Sequence, residues 1–442
     1  MSNGSRRSCA ITIWTERMTP SVSVIVANRG RAWSLSLTLQ ALKRQRHIKP
    51  EIIVVSDAPA PRDLSVHWLR HDEANVATAR NAGLMASTGQ IIAFCDDDAV
   101  PEPSWLSQLL AGFDTDEVGA VGGPVLGPDG VREQWGEMGF DRRGRDTPDG
   151  PFRKLNGTNM ALRRKAITAI GGFDPRFAYY LDETDMLLRL HDAGWRTRWI
   201  PSAVVHHATR SNAIRGAGTT VAGFTQLGRS VAAFARSHSP DCSQAEDMVR
   251  DQRRRLLRLH DLGLLSGHGV AARLKALKGA LKKASDPAPD RADIPASVAG
   301  PADPRPDSIR VAIAPRILSR RSARRLARDL SLHGFEVTVI TQIWLNRPLC
   351  VKWHPDGYFH HRGGVFRAGN RWPRWSAMLE REVARTAPLR DYTHLILSNR
   401  RGDAFVLKLE RPTVAKISYR MDRKWQIVRK FDTTSAIDAL QH

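Results

Sequence analysis

Short apolar runs alternate with helical patterns over the first two hundred residues. "SVSVIVA" (21–27) is a β-branched run ending at Asn28-Arg29-Gly30, "EIIVVSD" (51–57) is a second and "QIIAFCD" (90–96) a third. Runs this short, apolar throughout and bounded by turn residues, predict buried strands. Between them, "WSLSLTLQALKRQ" (33–45) sets Leu35, Leu39 and Leu42 on one helical face, and "NVATARNAGLMAS" (75–87) reads as a helix with small residues along one side. Farther on the pattern predicts a helix at 103–113, a glycine-broken strand at 118–127 and a short helix at 164–174 ended by glycines. An acid-started helix at 182–194 stops at Gly194, and a strand at 196–208 ends in two histidines. This alternation predicts an α/β unit, a mostly parallel sheet with helices on both faces. Ligands of such sheets sit at the carboxyl ends of the strands, where Asn28, Asp57 and Asp96 fall.

The pattern then changes twice. From 215 to 285 it is helical and increasingly basic. Within "VAARLKALKGALKK" (270–283), Val270, Leu274, Leu277 and Leu281 share a face, and Lys275, Lys278 and Lys282 lie elsewhere. Such a stripe either rests on a membrane surface or packs against a neighbouring helix. Residues 286–307 hold six prolines and no periodicity, the mark of a linker. Beyond it, apolar runs at 309–315, 335–341, 393–399 and 412–418, with a helix at 322–334, predict a second, smaller Rossmann-like α/β domain. The expected organisation is an α/β domain at 20–214, a basic helical extension at 215–285, the linker at 286–307 and the second domain at 308–442.

Charge narrows the class of partner. The 442 residues carry a formal net charge of +22, which favours nucleic acid, an acidic membrane leaflet or phosphorylated ligands. The basic residues are dispersed and no familiar recognition module is present, so nucleic acid is not the expected partner. Cys9, Cys95, Cys242 and Cys350 are scattered without disulfide or metal spacing, as in a reducing compartment. No secretory apolar segment follows the first arginines, and no run approaches 18 apolar residues. A cytoplasmic protein is expected, with peripheral contact at the inner face of an anionic membrane as an open option.

The candidate chemistry begins at Asp96, Asp97 and Asp98. Three adjacent carboxylates at a strand end repel one another unless something cationic neutralises them. An Asp-x-Asp pair can hold a hard divalent cation that in turn bridges phosphate oxygens, although acidic triplets also serve ordinary turns. Asp57 offers a carboxylate to a nucleobase or ribose, or a helix cap. Arg80, in "ARNAG", can pair with phosphate or with an acidic neighbour. Asp182, Glu183 and Asp185 crowd a helix start, where the dipole favours them; a carboxylate among carboxylates can also serve as a general base. His207, in "VVHHA", is either a hydrogen-bonded core residue or an imidazole completing a divalent site.

Taken in order, strand–Asn-Arg, strand–Asp, "ARNAG", strand–"DDD", "NGTNMALRR", "GGFD", "DETD" and "IPSAVVHH" resemble a family 2 glycosyltransferase of the GT-A fold, over residues 21 to about 210. The resemblance implies that Asp57 contacts the nucleobase of a nucleotide-sugar. Asp96 and Asp98 would bind the donor ribose and a Mn²⁺ or Mg²⁺ ion on its diphosphate, with His207 as a further metal ligand. Asn28, Arg80, Asp97 and Asn159 fall to the donor side by the same match. The family's "EDxDL" stands here as "DETDM", which makes Glu183 the base with Asp182 beside it. The implied reaction is an inverting transfer to a saccharide or lipid-linked acceptor, in polysaccharide or cell-surface glycan synthesis. The C-terminal unit resembles, less specifically, the N-terminal half of a GT-B glycosyltransferase of the family 4 type, without a G-x-G-x-x-G loop. A non-catalytic role in acceptor or partner binding is expected of it. The rival readings are a nucleotidyltransferase, which wants a glycine-rich loop with a lysine where "VANRGRAW" stands, and a non-catalytic nucleotide-sugar- or nucleic-acid-binding protein.

Overall fold

The computed structural model describes residues 19–61, 66–208, 221–238, 243–283, 307–315, 319–342, 349–363, 389–398, 404–409, 426–428 and 433–441, with short pieces between 291 and 306 and between 381 and 388. The strand expected at 412–418 and most of the linker at 286–307 lie outside the described residues.

The N-terminal unit is built on a seven-stranded sheet. Its strands are β1 (Val22–Asn28), β2 (Glu51–Ser56), β3 (His67–Arg70), β4 (Ile91–Phe94), β6 (Val118–Gly122), β12 (Met160–Arg163) and β13 (Arg196–Trp199), in the spatial order β13-β6-β12-β4-β1-β2-β3. Between β4 and β13 in the chain come β5 (Ala99–Pro101), β7 (Val125–Leu126), β8 (Glu133–Trp135), β9 (Met138–Phe140), β10 (Asp146–Thr147) and β11 (Phe152–Lys154); β14 (Val205–His207) follows. Strands β5-β14-β7-β8 form a second sheet, and β10-β9-β11 a third.

Period-two alternation places the core on both faces of the main sheet. Val22, Val24 and Val26 of β1 pack with Leu35, Leu39 and Leu42 of helix α1 (Ala32–Leu42) and with α3 (Trp105–Ala111). Ile25 points the other way, into a core with α2 (Val76–Ala86), α4 (Arg164–Ala169) and α5 (Asp182–Asp192). The sheet is mostly parallel, as expected, but β12 runs antiparallel between β4 and β6.

Two expected strands each prove to be a pair in different sheets. The run 118–127 breaks between β6 and β7 at Gly122 and Gly123, where any Cβ would collide with the carbonyls of Asn159, Ile200 and Ala203. The run 196–208 breaks at Pro201, which lies between β13 and β14. These breaks turn β14, with its histidines, under the carboxyl end of β4, to which β5 is joined by Cys95–Asp98.

Helices α6 (Val221–His238), α7 (Ser243–Asp261) and α8 (Gly267–Lys282) follow. The apolar stripe of α8 is buried: Val270 and Leu277 share a core with Phe224 and Leu256, and Gly228 of α6 leaves room only for Leu277 and Ala280. Of the two readings for this basic helix, packing is the one the structure bears out, with Lys275, Lys278 and Lys282 left exposed. No helix among the described residues is long and apolar enough to cross a membrane.

The C-terminal unit is a seven-stranded mixed sheet: β15 (Arg310–Ala314), β16 (Glu336–Gln342), β17 (Cys350–His354), β18 (Tyr358–Gly363), β19 (His394–Ser398), β20 (Ala404–Lys408) and β21 (Gln426–Val428), ordered β17-β18-β16-β15-β19-β20-β21. Helices α9 (Arg320–Leu332) and α10 (Thr433–Gln441) cover one face. Its central pairs are parallel, whereas β17, β20 and β21 pair antiparallel.

Buried charge joins the two units. Arg46 grips Glu336 through Nε and Nη2 at 2.6–2.9 Å and donates to the Arg390 carbonyl. Arg44 reaches Ser331 and the Gly357 carbonyl, and Arg390 reaches back to Glu102 at 2.9 Å. Bidentate and charge-assisted bonds of this kind fix geometry more narrowly than apolar contact does.

Candidate active site

The carboxyl ends of β1 and β4, the start of α2 and the start of α5 converge on one cavity of about 580 Å³, within the range of small-ligand sites. Asn28, Arg31, Asp96, Arg80, Asn156 and Glu183 all line it.

At the β4 end, Asp96, Asp98 and His207 each offer one donor atom, and the three atoms lie within 4.8 Å of one another. His207 Nε2 is 3.1 Å from Asp98 Oδ1 and 3.7 Å from Asp96 Oδ2. Asp98 and His207 are buried, while Asp96 faces the cavity. Two carboxylate oxygens and one imidazole nitrogen make a donor set suited to Mn²⁺ or Mg²⁺. The other ring nitrogen of His207 lies 3.2 Å from Gln134 Oε1, and the Trp135 ring sits against the imidazole at 5.3 Å, so β8 fixes the ring's orientation.

Asp97 points elsewhere. It is fully buried, accepts from Asn28 Nδ2 at 2.6 Å and pairs with Arg31 at 2.5 Å. Burial first, then the charges of Asp98 and Asp96, outweigh Arg31 and push its carboxyl up to about 7. The expectation that Asp97 contacts a donor is therefore corrected: it secures the loop from beneath. Asn28 shares this duty, accepting from Ser56 while donating to Asp97. Asn159 is corrected likewise, being fully buried and bonded to Trp105 and to the carbonyls of Pro124 and Ala203. Asp57 accepts from the Gly30 N–H at 3.2 Å and lies 3.7 Å from Arg29, at the turn beside the cavity.

Arg31 is the residue that sequence reasoning missed. It bridges Asp97 and Asp98, so part of the neutralisation the triplet demands comes from the chain itself. The signal was available in "NRGR", two arginines at the carboxyl edge of the strand beside the triplet's own.

At the far side, Arg80 is buried against the rings of Phe94 and Phe173, 5.8 and 5.3 Å from their centroids. Asn81 clasps the Phe173 backbone at both its N–H and its carbonyl, which joins "ARNAG" to "GGFD". Of the partners open to Arg80, the structure supplies the acidic one: it pairs closely with Asp182 and lies 3.5 Å from Glu183. Arg80 also lines the cavity, on the side where a donor contact was expected of it.

Tyr180 and Leu181 enter α5 with φ of +77° and +66°, a left-handed pair that non-glycine residues seldom adopt. This turn sets three acids into the first turn of α5. Asp182 is buried, and burial together with the charge of Glu183 raises its carboxyl well above the ordinary range. Burial opposes the Glu183 carboxylate too, but Arg80 and a hydrogen bond from Asp182 outweigh it and hold Glu183 below its usual value. The two carboxyls are thus driven in opposite directions, Asp182 up and Glu183 down. Asp185, the third acid, is buried away from the cavity and bonded to Arg189 and, at 2.7 Å, to His238 of α6.

Gly157 permits this arrangement. Its N–H donates to Glu183 Oε1 at 3.1 Å, and a Cβ there would collide with both Arg80 and Glu183. Gly157→Ala is expected to displace Glu183 and Arg80 and to lower the melting temperature; thermal melting against wild type checks it.

Residues 21–171 match the family described as Glycosyl transferase family 2. Relatives include the pre-mycofactocin glycosyltransferase of Mycobacterium tuberculosis, 29% identical over 208 residues, covering 43% of each chain. The succinoglycan biosynthesis protein ExoM of Rhizobium meliloti is 34% identical over 148 residues, covering 31% of this chain and 46% of that protein. The chain thus spans less than half the length of these relatives. Among solved structures, GalNAc-T7 with UDP, GalNAc and Mn²⁺ aligns at a TM-score of 0.42 and 15% identity, over 54% of this chain and 51% of that one. Residues 21–171, whose strand ends line this cavity, are thus similar to Glycosyl transferase family 2.

Proposed function

We propose that the chain is an inverting, divalent-cation-dependent glycosyltransferase that moves a sugar from a nucleotide-sugar donor to a saccharide or lipid-linked acceptor. One observation carries the reading: Asp96, one member of a three-donor cation set, and Glu183, its carboxyl held below the usual value, line a single cavity. Asp96, Asp98 and His207 would hold Mn²⁺ or Mg²⁺, which as a Lewis acid would offset charge on the departing diphosphate. Glu183 takes the proton of an acceptor hydroxyl as its oxygen attacks the anomeric carbon. The bond from that carbon to the nucleoside diphosphate breaks, and one in-line displacement inverts the centre. Arg80 and the Gly157 N–H hold Glu183 in place, with the Asp182 carboxyl beside it raised by burial and by Glu183. Arg29 and Arg31 supply positive charge at the cavity wall.

A nucleotidyltransferase is not favoured, since the turn after β1 offers neither a glycine-rich loop nor a lysine. With the apolar stripe of α8 turned inward, contact with an anionic membrane would fall to the α7–α8 turn, where Leu262 and Leu264 are exposed.

Thermal melting with UDP, GDP and dTDP, each with and without Mn²⁺, tests the reading. A ligand that binds only the native state stabilises it by about 2.7 kcal/mol at a hundredfold excess over its Kd. A rise in Tm with one nucleotide is expected, dependent on Mn²⁺ and absent in Asp98→Ala. A shift indifferent to the metal, or none with any of the three, would sink the proposal.

A further inference from the structure

We infer that the C-terminal unit sets the geometry of the cation site: Arg390, through Glu102 and His206, positions strand β14 and with it His207. The inference rests on the cation reading above.

Strand β14 has two faces, because successive side chains along a strand point to opposite sides. His207 turns toward Asp98 and Asp96. His206 turns the other way, toward the C-terminal unit, with Nε2 2.6 Å from Glu102 Oε1 and its ring 5.6 Å from that of Phe359. The same Glu102 oxygen accepts from Arg390 Nη2 at 2.9 Å. Arg390 also donates to Thr338 and lies over the Phe359 ring, 3.7 Å from its centroid. The carboxylate is fully buried and the guanidinium nearly so, so water cannot stand in for either partner. Burial penalises the Glu102 charge, yet Arg390 and His206 outweigh that and hold its carboxyl down at about 2.

A second contact reaches the same place. The Asp129 carbonyl accepts from the Val351 N–H at 2.8 Å, and Gly130 has no room for a side chain against the Val351 carbonyl. Asp129 and Gly130 belong to the turn from β7 into β8, and β8 supplies Gln134 and Trp135 to His207. The C-terminal unit therefore braces both the strand that bears the imidazole and the strand that orients it. Arg390 is a positioning residue in this scheme, two side chains removed from any ligand.

Removing a group that orients a metal ligand typically weakens metal binding about 10–100-fold. The test is Mn²⁺ binding to the full chain, read as loss of the free-ion electron paramagnetic resonance signal, with and without UDP. It compares wild type, Arg390→Met, Glu102→Gln and their double variant, with Asp98→Ala as the blank. Each single change is expected to raise the Kd about tenfold or more, and the double variant to lose less than the product of the two. Should Arg390→Met not fold, Phe359→Leu loosens the same guanidinium and is read identically. Affinity within about twofold of wild type in a folded Arg390→Met or Phe359→Leu would overturn the inference alone, because a purely structural role predicts that result well below the melting temperature. Wild-type binding no better than Asp98→Ala would overturn the cation reading beneath it.

Discussion

Glu183→Gln is expected to lower kcat by about 10²–10⁴-fold, the usual contribution of a general base. The neighbouring Asp182→Asn should cost less than about tenfold, roughly one hydrogen bond. The contrast follows from the opposite directions of the two shifts: burial and its neighbour raise Asp182 toward the neutral acid that asparagine imitates in shape. Glu183, held ionised by Arg80, loses its capacity to accept a proton when amidated. Nucleotide-dependent melting should survive in both variants, which separates a chemical defect from a lost site. Equal losses in the two variants would instead assign the base to the pair as a whole.

Arg80→Met should destabilise the protein and shift its pH dependence together. It leaves a buried carboxylate without its cation, a change that typically costs about 3–5 kcal/mol. For a unit of this size, the melting temperature should fall on the order of 10 °C. The sign with pH is defined. In the wild type the folded-state value of Glu183 lies below the unfolded one, so its stabilisation is present above the unfolded value and is lost as pH falls through the folded one. Without Arg80, burial loses its largest opponent and the folded value of Glu183 rises, with only the hydrogen bonds of Asp182 and the backbone and the charge of Lys154 left to hold it down. The penalty is then largest near neutrality and shrinks as acid protonates the pair. Melting curves of the two proteins should approach each other between pH 7 and pH 4, and the acidic limb of the variant's kcat profile should move to higher pH. A constant gap across that range would show that Arg80 acts by packing alone.

Local patterns made most of the N-terminal fold legible. The three buried strands and the helices at 33–45, 75–87 and 182–194 appear within a few residues of where periodicity put them. What escaped was sidedness. The runs 118–127 and 196–208 read as single strands because nothing in their apolar pattern marks a change of sheet; only packing against Ile200 and Ala203 makes Gly122 and Gly123 a crossing point. The site was legible to the same degree. "DDD" and "HH" announced a cluster, but which acid faces the cavity depends on one residue of rotation in the loop after β4. Asp97 and Asn159 turned inward for that reason, and Arg80 meets Asp182 and Glu183 because α5 packs in the same core as α2. In the C-terminal unit the antiparallel strands β17, β20 and β21 gave no signal that separates them from loops.

The bond between Asp185 and His238 has a practical bearing on where the protein can be cut. The family match ends at residue 171, yet Phe234 of α6 packs on Phe177, and Val231, Ala233 and Ile294 complete the core that holds α5. A fragment trimmed to the family boundary would lose the helix that carries Glu183, and one trimmed at 208 would strip the imidazole from a buried carboxylate. A cut after Ile294 keeps α5 and its core, but by the same logic it strips Arg390 from the fully buried Glu102, so the excisable piece runs well past the segment its kinship defines.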